Sequence, residues 1–293
     1  MEEYIMGMAI NTNLMANNAY GNLNRTQNDV SKSMEKLSSG LRINRAADDA
    51  AGLAISEGLK SQVSGSAVAA RNAQDGISVI QTTEGALTEV HSILQRMRDL
   101  AVQGSNDTNN AASRSAIKGE GDSLGKELDR LTQSTQFNGI DLLKGAAGNS
   151  GAALNIQVGT GGSANDKIAV NLGDVATAVG TGATGLSGAA GAAGFKVDTS
   201  ANAQLTIAAV DTAIAAVSAQ RADLGATQNR LEHATKTLQV SGENLQAAES
   251  RITDTDMASE MVKYTKANIM SQAGTAMLAQ ANQSGQGVLS LLR

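Results

Sequence analysis

Two adjacent carboxylates, Asp48 and Asp49, are the residues in this chain whose types and spacing come nearest to an acid–base pair. Catalysis by two carboxyl groups needs a pocket that holds a substrate and positions the carboxyls for proton transfer. The flanking residues are mainly Ala and Gly, with no aromatic side chain that could form such a pocket. The pair is better explained as charges in the first turn of a helix, or as partners of Arg42 or Arg45 in ion pairs between subunits.

The segment 180–185, GTGATG, satisfies the G-x-G-x-x-G pattern of dinucleotide-binding loops. That function requires a strand before the loop and a helix after it, so that the helix N-terminus meets a phosphate. More Gly and Ala residues follow instead, and a chance match is expected in a glycine-rich segment. His91 and His233 lie inside helical patterns and lack the second His, four residues away, of a metal-binding helix.

Asp254 and Asp256 suggest calcium binding, but no EF-hand glycine and no bidentate Glu occurs at the required spacing. They are better explained as negative charges that stabilise the N-terminus of the last helix by interacting with its dipole. The chain contains no Cys, which excludes disulfides, thiolate metal ligands and cysteine nucleophiles. We therefore predict no catalytic residue, no metal site and no cofactor.

The composition favours long helices over a bulky globular core. Only 2 % of the residues are aromatic and none is Trp, so Ala, Leu, Ile, Val and Met must do the packing, and no Pro interrupts a helix. The net charge of −5 argues against a nucleic-acid partner, which selects a clustered basic face. No polybasic patch and no run of about 18 apolar residues occurs, so no membrane association is predicted. The first residues have neither the basic nor the apolar region of a cleavable signal peptide. Met1–Gly7 is excluded from the fold prediction, because it is either an upstream start or an added segment before a natural start at Met8.

Apolar residues recur at three- and four-residue spacing along most of the chain, as in coiled-coil helices. One seam runs through residues 16–41, a second through 59–101, and a third helix at 117–131 is expected to fold back antiparallel on the second. The longest seam covers 207–252. The last segment, 257–292, is apolar around most of its circumference, which is typical of a helix buried on several sides. The first seam comprises Ala16, Tyr20, Leu23, Gln27, Val30, Met34, Leu37 and Leu41.

Two segments rich in capping and helix-breaking residues interrupt these patterns, Leu37–Ser56 and Arg251–Met257. They lie at similar distances from the two ends of the chain, each between a long central helix and a shorter terminal one. We interpret them as matching connectors whose charges face neighbouring subunits. The candidate connector residues are Arg42, Asn44, Arg45, Asp48, Asp49, Asp254 and Asp256.

Beyond the third helix the pattern changes from helix to strand. Asn138-Gly139 predicts a tight hairpin turn, and the alternation in Leu154–Val158 and Lys167–Leu172 predicts two strands. Thirteen glycines lie between Gly145 and Gly194, which predicts a short, exposed, loosely ordered insert. The predicted fold class is mainly α: a long coiled-coil helical bundle with a small β-hairpin element and a short Gly-rich outer insert.

The apolar circumference of residues 257–292 predicts self-assembly. Each fully buried Leu, Ile, Val or Met stabilises a structure by about 1.5–3 kcal/mol, and two terminal helices cannot cover that much of each other's surface. Neighbouring copies must cover the rest, so we expect both ends to be poorly ordered in the monomer and to fold on polymerisation. The candidate assembly residues are Leu23, Val30, Leu37, Met261, Ile269, Leu289 and Leu292.

The chain resembles the bacterial flagellins in both of its terminal regions, and the motifs occur in that family's order. The segments that carry the resemblance are Met8–Asn13, Leu37–Asn44, Asp48–Ile55, Leu94–Gln103, Gln136–Gly139 and Gln280–Ser284 with the end through Leu292.

The resemblance implies an inner terminal coiled-coil domain made of residues 8–43 and 257–293. It implies a helical rod domain made of 44–144 and 200–256, and a variable region, here unusually short, at 145–199. The implied function is that of a structural subunit which polymerises with itself into the extracellular filament for motility. Export would run through the flagellar type III apparatus without a cleaved signal peptide.

The implied partners are further copies of the chain, an export chaperone that holds the C-terminal segment, and the cap and hook-junction proteins. Recognition by the mammalian Toll-like flagellin receptor is implied at Arg96, Leu100, Gln103 and Glu120, although Leu100 has the alternative of packing in a core or between subunits. Two other functions stay open. One is a hook–filament junction protein, which shares the terminal helices but normally carries a larger middle region, and the other is a coiled-coil surface adhesin.

Overall fold

The computed structural model describes residues 13–144, 153–179 and 194–291, and side chains as far as residue 283. The chain forms two compact units, one of residues 1–61 and 244–293 and the other of residues 62–243. The boundaries between the units fall within two long helices and not at the predicted connectors, so the three-domain division stays a prediction. The elements are α1 (Leu14–Ser39), α2 (Ala50–Gly104), α3 (Ala111–Ser134), β1 (Gln136–Phe137), β2 (Ile140–Asp141), β3 (Leu154–Gln157), β4 (Lys167–Val170), α4 (Val175–Val179), α5 (Ser200–Thr253) and α6 (Met257–Leu291).

The first unit is built on α1 and α6, which pack against each other along their lengths. Helix α1 begins at Asn13, whose side-chain oxygen accepts a hydrogen bond from the backbone N–H of Ala16. It ends at Gly40, whose φ of 73° lies in the left-handed region that glycine adopts without strain. The ends of α1 are therefore fixed by a cap at one terminus and a left-handed glycine at the other.

The second unit has the apolar core of the molecule, formed by α3 and by the parts of α2 and α5 that lie within residues 62–243. Ion pairs of 2.6 Å join Arg98 to Asp211 and Arg96 to Glu120, which ties α2 to α5 and to α3. The predicted return of a third helix along the second is confirmed. The fully buried side chains of this core include Ile80, Leu87, Leu94, Met97, Leu128, Leu224 and Leu231.

Both predicted β elements are confirmed. β1 and β2 form an antiparallel hairpin with Phe137 paired to Ile140, and the two residues between them, Asn138 and Gly139, have φ values of 49° and 79°. Positive φ at both central residues is the geometry of the turn that Asn-Gly favours. β3 and β4 pair antiparallel from Leu154↔Val170 to Gln157↔Lys167.

The expectation of an exposed insert holds for residues 160–165 but not for the strands or for Phe195, which pack against the helices. Ile168 and Val170 alternate with exposed residues along β4 and are buried in the core of the second unit. Gly76 of α2 leaves space for Ile156, since a Cβ at that glycine would lie 3.1 Å from the Ile156 side chain. Phe195, beyond the glycine-rich stretch, is fully buried. The strands are too small to form a core of their own, but they pack on the helices of the second unit.

The fold class is confirmed as mainly α, with long helices and small antiparallel β elements. Among the described residues, no helix combines the length and the hydropathy that crossing a membrane would need.

Candidate functional site

Helices α1 and α6 pack antiparallel through a seam with a seven-residue repeat. The seam is formed by half-buried or buried residues, on α1 by Ala16, Ala19, Leu23, Thr26, Val30, Ser33 and Leu37, and on α6 by Glu260, Tyr264, Ala267, Ser271, Gly274, Leu278 and Ala281. Glu35, Lys36 and Asn268 are also half-buried but lie outside this repeat. This is the alternating three- and four-residue spacing of a coiled coil. A Cβ at Gly274 would lie 3.8 Å from the Cβ of Leu23, so the two backbones approach closely at that point.

The predicted α1 seam is correct at four of its eight positions, and a fifth, Gln27, is exposed but accepts a 3.3 Å hydrogen bond from Ser271 of α6. Ala16, Leu23, Val30 and Leu37 lie in the seam, but Tyr20 and Met34 are exposed, with 56 % and 51 % of their surface accessible. Large apolar residues are the usual marks of a seam. Here the helices approach too closely for them, and the small side chains of Ala19, Thr26 and Ser33 take those positions.

The most enclosed contact in this seam is polar. The Ser33 hydroxyl donates a 2.8 Å hydrogen bond to Glu260 Oε1, and Lys263 Nζ donates one of 3.0 Å to Glu260 Oε2. Burial alone raises the pKa of Glu260, but the bonds from Ser33 and Lys263, with Lys36 nearby, bring that pKa below its ordinary value of 4.5. The carboxyl group is therefore held in its charged form inside the helix pair.

Helix α6 exposes an apolar surface outside the seam, which we call the α6 outward face. It consists of Met261, Val262, Ile269 and Met270, which line a shallow hollow of about 500 Å³ together with Thr265 and Lys266. Val262 is 69 % exposed and Ile269 is 61 % exposed. The assembly candidates on the described part of α6, Met261 and Ile269, thus lie on a free surface and not against α1.

The connector after α1 is held to the segment before α6 by an antiparallel bridge between Leu41 and Asp254. The backbone N–H of Arg42 donates to the Thr253 carbonyl at 2.6 Å, and the N–H of Thr255 donates to the Gly40 carbonyl at 3.0 Å. The two interrupting segments are therefore joined within one chain by main-chain hydrogen bonds.

The arginine side chains of the connector have partners within the chain. Arg42 Nη2 donates to the Ile252 carbonyl at 2.7 Å, and Arg45 Nε pairs at 2.7 Å with Glu35, which also accepts from Asn44 Nδ2. The hydrogen bond that Arg45 donates to Glu35 raises the pKa of the Arg45 guanidinium above its ordinary value. Neither arginine side chain forms an ion pair with Asp48 or Asp49. The predicted role of these residues between subunits stays a prediction.

The aspartates of the connectors cap turns and helices. Asp48 Oδ2 accepts from the backbone N–H groups of Arg45 and Asn44, which lowers the pKa of Asp48 below its ordinary value. Asp49 Oδ1 accepts from the N–H of Gly52 at the start of α2. At the other connector, Asp256 Oδ1 accepts from two N–H groups in the first turn of α6, and Asp254 accepts from the hydroxyl of Ser250. Asp49 and Asp256 are therefore helix N-caps, Asp48 closes a turn, and Asp254 accepts only from side-chain hydroxyls.

The four candidate receptor residues lie on α2 and α3 in the second unit. Arg96 donates two hydrogen bonds to Glu120 Oε1, at 2.9 and 2.6 Å, and both side chains are exposed, as is Gln103. Leu100 is 2 % exposed and belongs to the core, as its alternative interpretation has it. The receptor contact stays a prediction, with Arg96, Gln103 and Glu120 as the accessible members.

Other predictions fall partly outside the described structure. The glycine pattern at 180–185, the residues Met1–Gly7 and Leu292 lie outside the described residues, and for Leu289 only the backbone, within α6, is described. In the described ranges, no group of three or more His, Asp or Glu residues is placed to hold a metal ion. His91 contacts Gln95, one turn further along α2, at 2.9 Å.

Sequence reasoning did not find Ser33 and Glu260. A usable signal exists, since Glu260, Ala267, Gly274 and Ala281 recur every seven residues on α6 and match a similar repeat on α1. A repeat of small residues is easily overlooked, because hydrophobic periodicity is read from large side chains.

Two family profiles match the chain: the bacterial flagellin N-terminal helical region matches residues 10–148 and the bacterial flagellin C-terminal helical region matches residues 207–292. A flagellin of Halalkalibacterium halodurans is 51 % identical over 287 residues, covering 98 % of this chain and 100 % of that protein. A flagellin of Bacillus subtilis is 47 % identical over 306 residues, with the same coverage of both chains.

The flagellar filament 33 kDa core protein of Treponema phagedenis is 45 % identical over 290 residues, again covering 98 % of this chain and 100 % of the relative. Among solved structures, Bacillus cereus flagellin is 31 % identical, covers 57 % of this chain and 88 % of its own, and superposes with a TM-score of 0.48. From the two profiles and the full-length relatives, this chain belongs to the bacterial flagellins.

Proposed function

We propose that this flagellin, a structural subunit of the bacterial flagellar filament, polymerises with its own copies through the α6 outward face. The observation that supports this most directly is the exposure of Met261, Val262, Ile269 and Met270 as one apolar surface. Such surfaces on soluble proteins mark interaction sites, because exposed apolar side chains gain free energy when they are removed from water. Because the chain belongs to the flagellins, we propose that the partner at this surface is a second copy of the same chain.

The proposed mechanism is geometric and needs no chemical step. The paired terminal helices of successive copies stack on one another, and small slips between subunits change the supercoil of the filament. The assembled filament then converts the torque of the flagellar motor into thrust. The charged connector residues, including Arg42, Arg45 and Asp48, are proposed to face neighbouring copies in that assembly, in addition to their partners within the chain.

Before assembly, the apolar side chains of the α6 outward face are exposed to water and require a partner that shields them. We propose that the export chaperone holds this segment of the C-terminal helix, and that cap and hook-junction proteins guide the first and later copies into place. The chain is proposed to leave the cell through the flagellar type III apparatus without a cleaved signal peptide, so that the filament lies outside the cell.

A charge on the α6 outward face tests the assembly proposal. Val262→Asp leaves the seam intact but removes about 1.5–3 kcal/mol of apolar burial at a contact between copies, which corresponds to a roughly ten- to hundredfold higher critical concentration for filament growth. Sedimentation and negative-stain microscopy of polymerised protein measure this, with circular dichroism to establish equal helix content. Gln272→Asp introduces the same charge at an exposed polar position of the same helix and is expected to polymerise nearly as the parent does.

Equal critical concentrations for Val262→Asp and Gln272→Asp would refute a contact at this face. Microscopy also separates the alternatives: long filaments indicate the filament subunit, short collars a hook–filament junction protein, and a folded monomer that binds a surface polysaccharide an adhesin.

A second proposed property is recognition by the mammalian Toll-like flagellin receptor at the surface formed by Arg96, Gln103 and Glu120. Its support is the exposure of these side chains on neighbouring helices, with Arg96 and Glu120 already paired. Arg96→Ala is expected to reduce activation of receptor-expressing cells. Arg130→Ala, which removes an exposed arginine of α3 that pairs within its own helix, serves as the control.

A further inference from the structure

The residue most deeply buried on each terminal helix is polar, and these two residues bind each other. Ser33, at 7 % exposure, is the buried residue of α1, and Glu260, at 6 %, is the most enclosed of the described side chains of α6. Their oxygens are 2.8 Å apart. The apolar seam residues Leu23, Val30 and Leu37 are only half-buried. A seam that encloses a carboxylate more fully than its leucines calls for an explanation other than hydrophobic stabilisation.

Stability is a weak explanation for a buried carboxylate and its hydrogen-bond partner. Removing a carboxylate from water costs free energy, and replacing a buried polar pair by apolar residues of similar size is often neutral or stabilising. The use of such pairs that is best supported in coiled coils is to fix the register, since a polar group is satisfied only when its partner lies opposite.

One track of the seam does not fix its own register strongly. Leu23, Val30 and Leu37 repeat at seven residues on α1, and Ala267, Gly274 and Ala281 repeat at seven residues on α6. Along this track, sliding one helix by seven residues would place similar side chains against similar side chains. The other α6 track, Tyr264, Ser271 and Leu278, has unlike residues at the same spacing.

Glu260 is the most enclosed residue that breaks this equivalence, and Ser271, which donates to Gln27 Oε1 at 3.3 Å, is a more exposed second one. A slip by seven residues in one direction brings it opposite Thr26, whose hydroxyl already donates to the Asn22 carbonyl at 2.9 Å. In the other direction it meets Gly40, which lies beyond α1 and offers no side-chain donor. In either slipped register the carboxylate loses the Ser33 hydroxyl.

We propose that the Ser33–Glu260 hydrogen bond determines the register of the α1–α6 pair, so that these two residues are the specificity-determining positions for the pairing of the chain's own ends. The importance of that register for the filament rests on the proposed function, but the register itself is a property of one chain. Three other contacts compete for the same role, and one is the 3.3 Å hydrogen bond from the Ser271 hydroxyl to Gln27 Oε1. The other two lie at the ends of the helix pair. They are the main-chain bridge at Leu41 and Asp254, and the 2.9 Å bond from Asn13 Nδ2 to the Ala281 carbonyl.

Disulfide trapping measures the register, because the chain contains no Cys of its own. Leu23→Cys with Gly274→Cys reports the observed register, since the 3.8 Å between their Cβ positions matches the mean of about 3.8 Å in disulfides. Leu23→Cys with Ala267→Cys, and Leu23→Cys with Ala281→Cys, report the two seven-residue slips. Full-length protein is oxidised both as dilute monomer and after polymerisation, and the intramolecular disulfide is quantified by electrophoresis and peptide mass spectrometry.

With Ser33 and Glu260 present, the observed-register disulfide is expected to exceed either slipped one by about ten- to hundredfold, the range for a hydrogen bond to a charged group. With Ser33→Val and Glu260→Leu together, a slipped disulfide is expected to form in comparable amount. If the apolar double variant still forms only the observed-register disulfide, the proposal is overturned, and the bridge, the Asn13 contact or the Ser271–Gln27 hydrogen bond sets the register.

Milder variants keep the test decisive if the double variant loses its helices. Ser33→Ala removes only the hydroxyl and is expected to raise the slipped fraction, whereas an unchanged fraction contradicts the proposal. Ser31→Ala is the matched control, because the Ser31 hydroxyl donates within its own helix to the Gln27 carbonyl. Glu260→Gln retains an acceptor for Ser33 and is expected to preserve much of the preference. Failure of the parent protein to polymerise would count against the proposed function alone, because the monomer reports the register when circular dichroism shows that both of its terminal helices are folded.

Discussion

The two compact units of this flagellin differ in how they bury apolar surface. Among the described residues, every buried apolar side chain except Ile43 and Ala281 lies within residues 62–243. The other unit encloses Ser33 and Glu260 and leaves Val262 and other large apolar groups in contact with solvent. The second unit is therefore stabilised by its own core, whereas the first leaves much of its apolar surface exposed in the single chain, and we propose that other copies cover that surface.

The largest expected effect is the difference between the two units in the free energy of unfolding that a Leu→Ala substitution removes. Leu94→Ala removes a fully buried side chain and is expected to lower the free energy of unfolding of the second unit by about 2–5 kcal/mol. Leu23→Ala, at a half-buried seam position, is expected to cost about 1 kcal/mol or less in the monomer. Urea unfolding of dilute protein followed by circular dichroism, with hydrogen exchange to assign each transition, gives both values. Equal costs would show that the first unit has a core comparable to that of the second.

A smaller effect tests whether residues after the glycine-rich stretch belong to the core of the second unit. A Cβ at Gly121 would overlap the ring of Phe195, whereas a Cβ at Gly119 of the same helix would meet nothing within 4 Å. Gly121→Ala is expected to destabilise by about 1–3 kcal/mol through overpacking. Gly119→Ala is expected to stabilise by up to about 1 kcal/mol through helix propensity. Thermal unfolding of the pair measures the difference, and similar melting temperatures would mean that Phe195 moves aside without cost.

The sequence predicted local structure better than long-range packing. The alternation around Ile168 located the strands correctly, and the Asn138-Gly139 pair located the hairpin turn. The glycine count then led to a wrong expectation of exposure, because composition does not reveal which distant surface will accept a strand. Gly76 of α2 provides the space for Ile156, and the two residues are far apart in the chain.

In the seam of the terminal helices, too, the sequence predicted some positions correctly and others wrongly. Leu23, Val30 and Leu37 were predictable from their seven-residue spacing. Tyr20 and Met34 were placed in the seam wrongly, since an apolar residue at helical spacing can face either a partner helix or a further copy. Glu260 was missed because its burial depends on Ser33, a residue that a hydrophobic pattern does not mark.

The smallest expected effect is the pH dependence of the first unit. The charged groups around Glu260 are Lys36 and Asp29 on α1 and Lys263 and Lys266 on α6, with Lys32 beside them. Because its folded pKa lies below the ordinary 4.5, Glu260 contributes stability that is present above about pH 4.5 and is lost as the pH falls through the folded pKa.

Acidification below pH 4.5 is therefore expected to weaken the α1–α6 pair, observed as faster hydrogen exchange in α1. Glu260→Gln cannot lose a charge and is expected to show a smaller change over the same interval, although it is less stable than the parent at neutral pH. The exposed Glu127, whose pKa is lowered by Arg130 in the second unit, provides the control. Glu127→Gln should leave the acid sensitivity of α1 unchanged, because Glu127 lies on α3. If Glu260→Gln retained the full sensitivity of the parent, the acid response of the terminal helices would have to arise from other carboxylates, such as the connector residue Asp48.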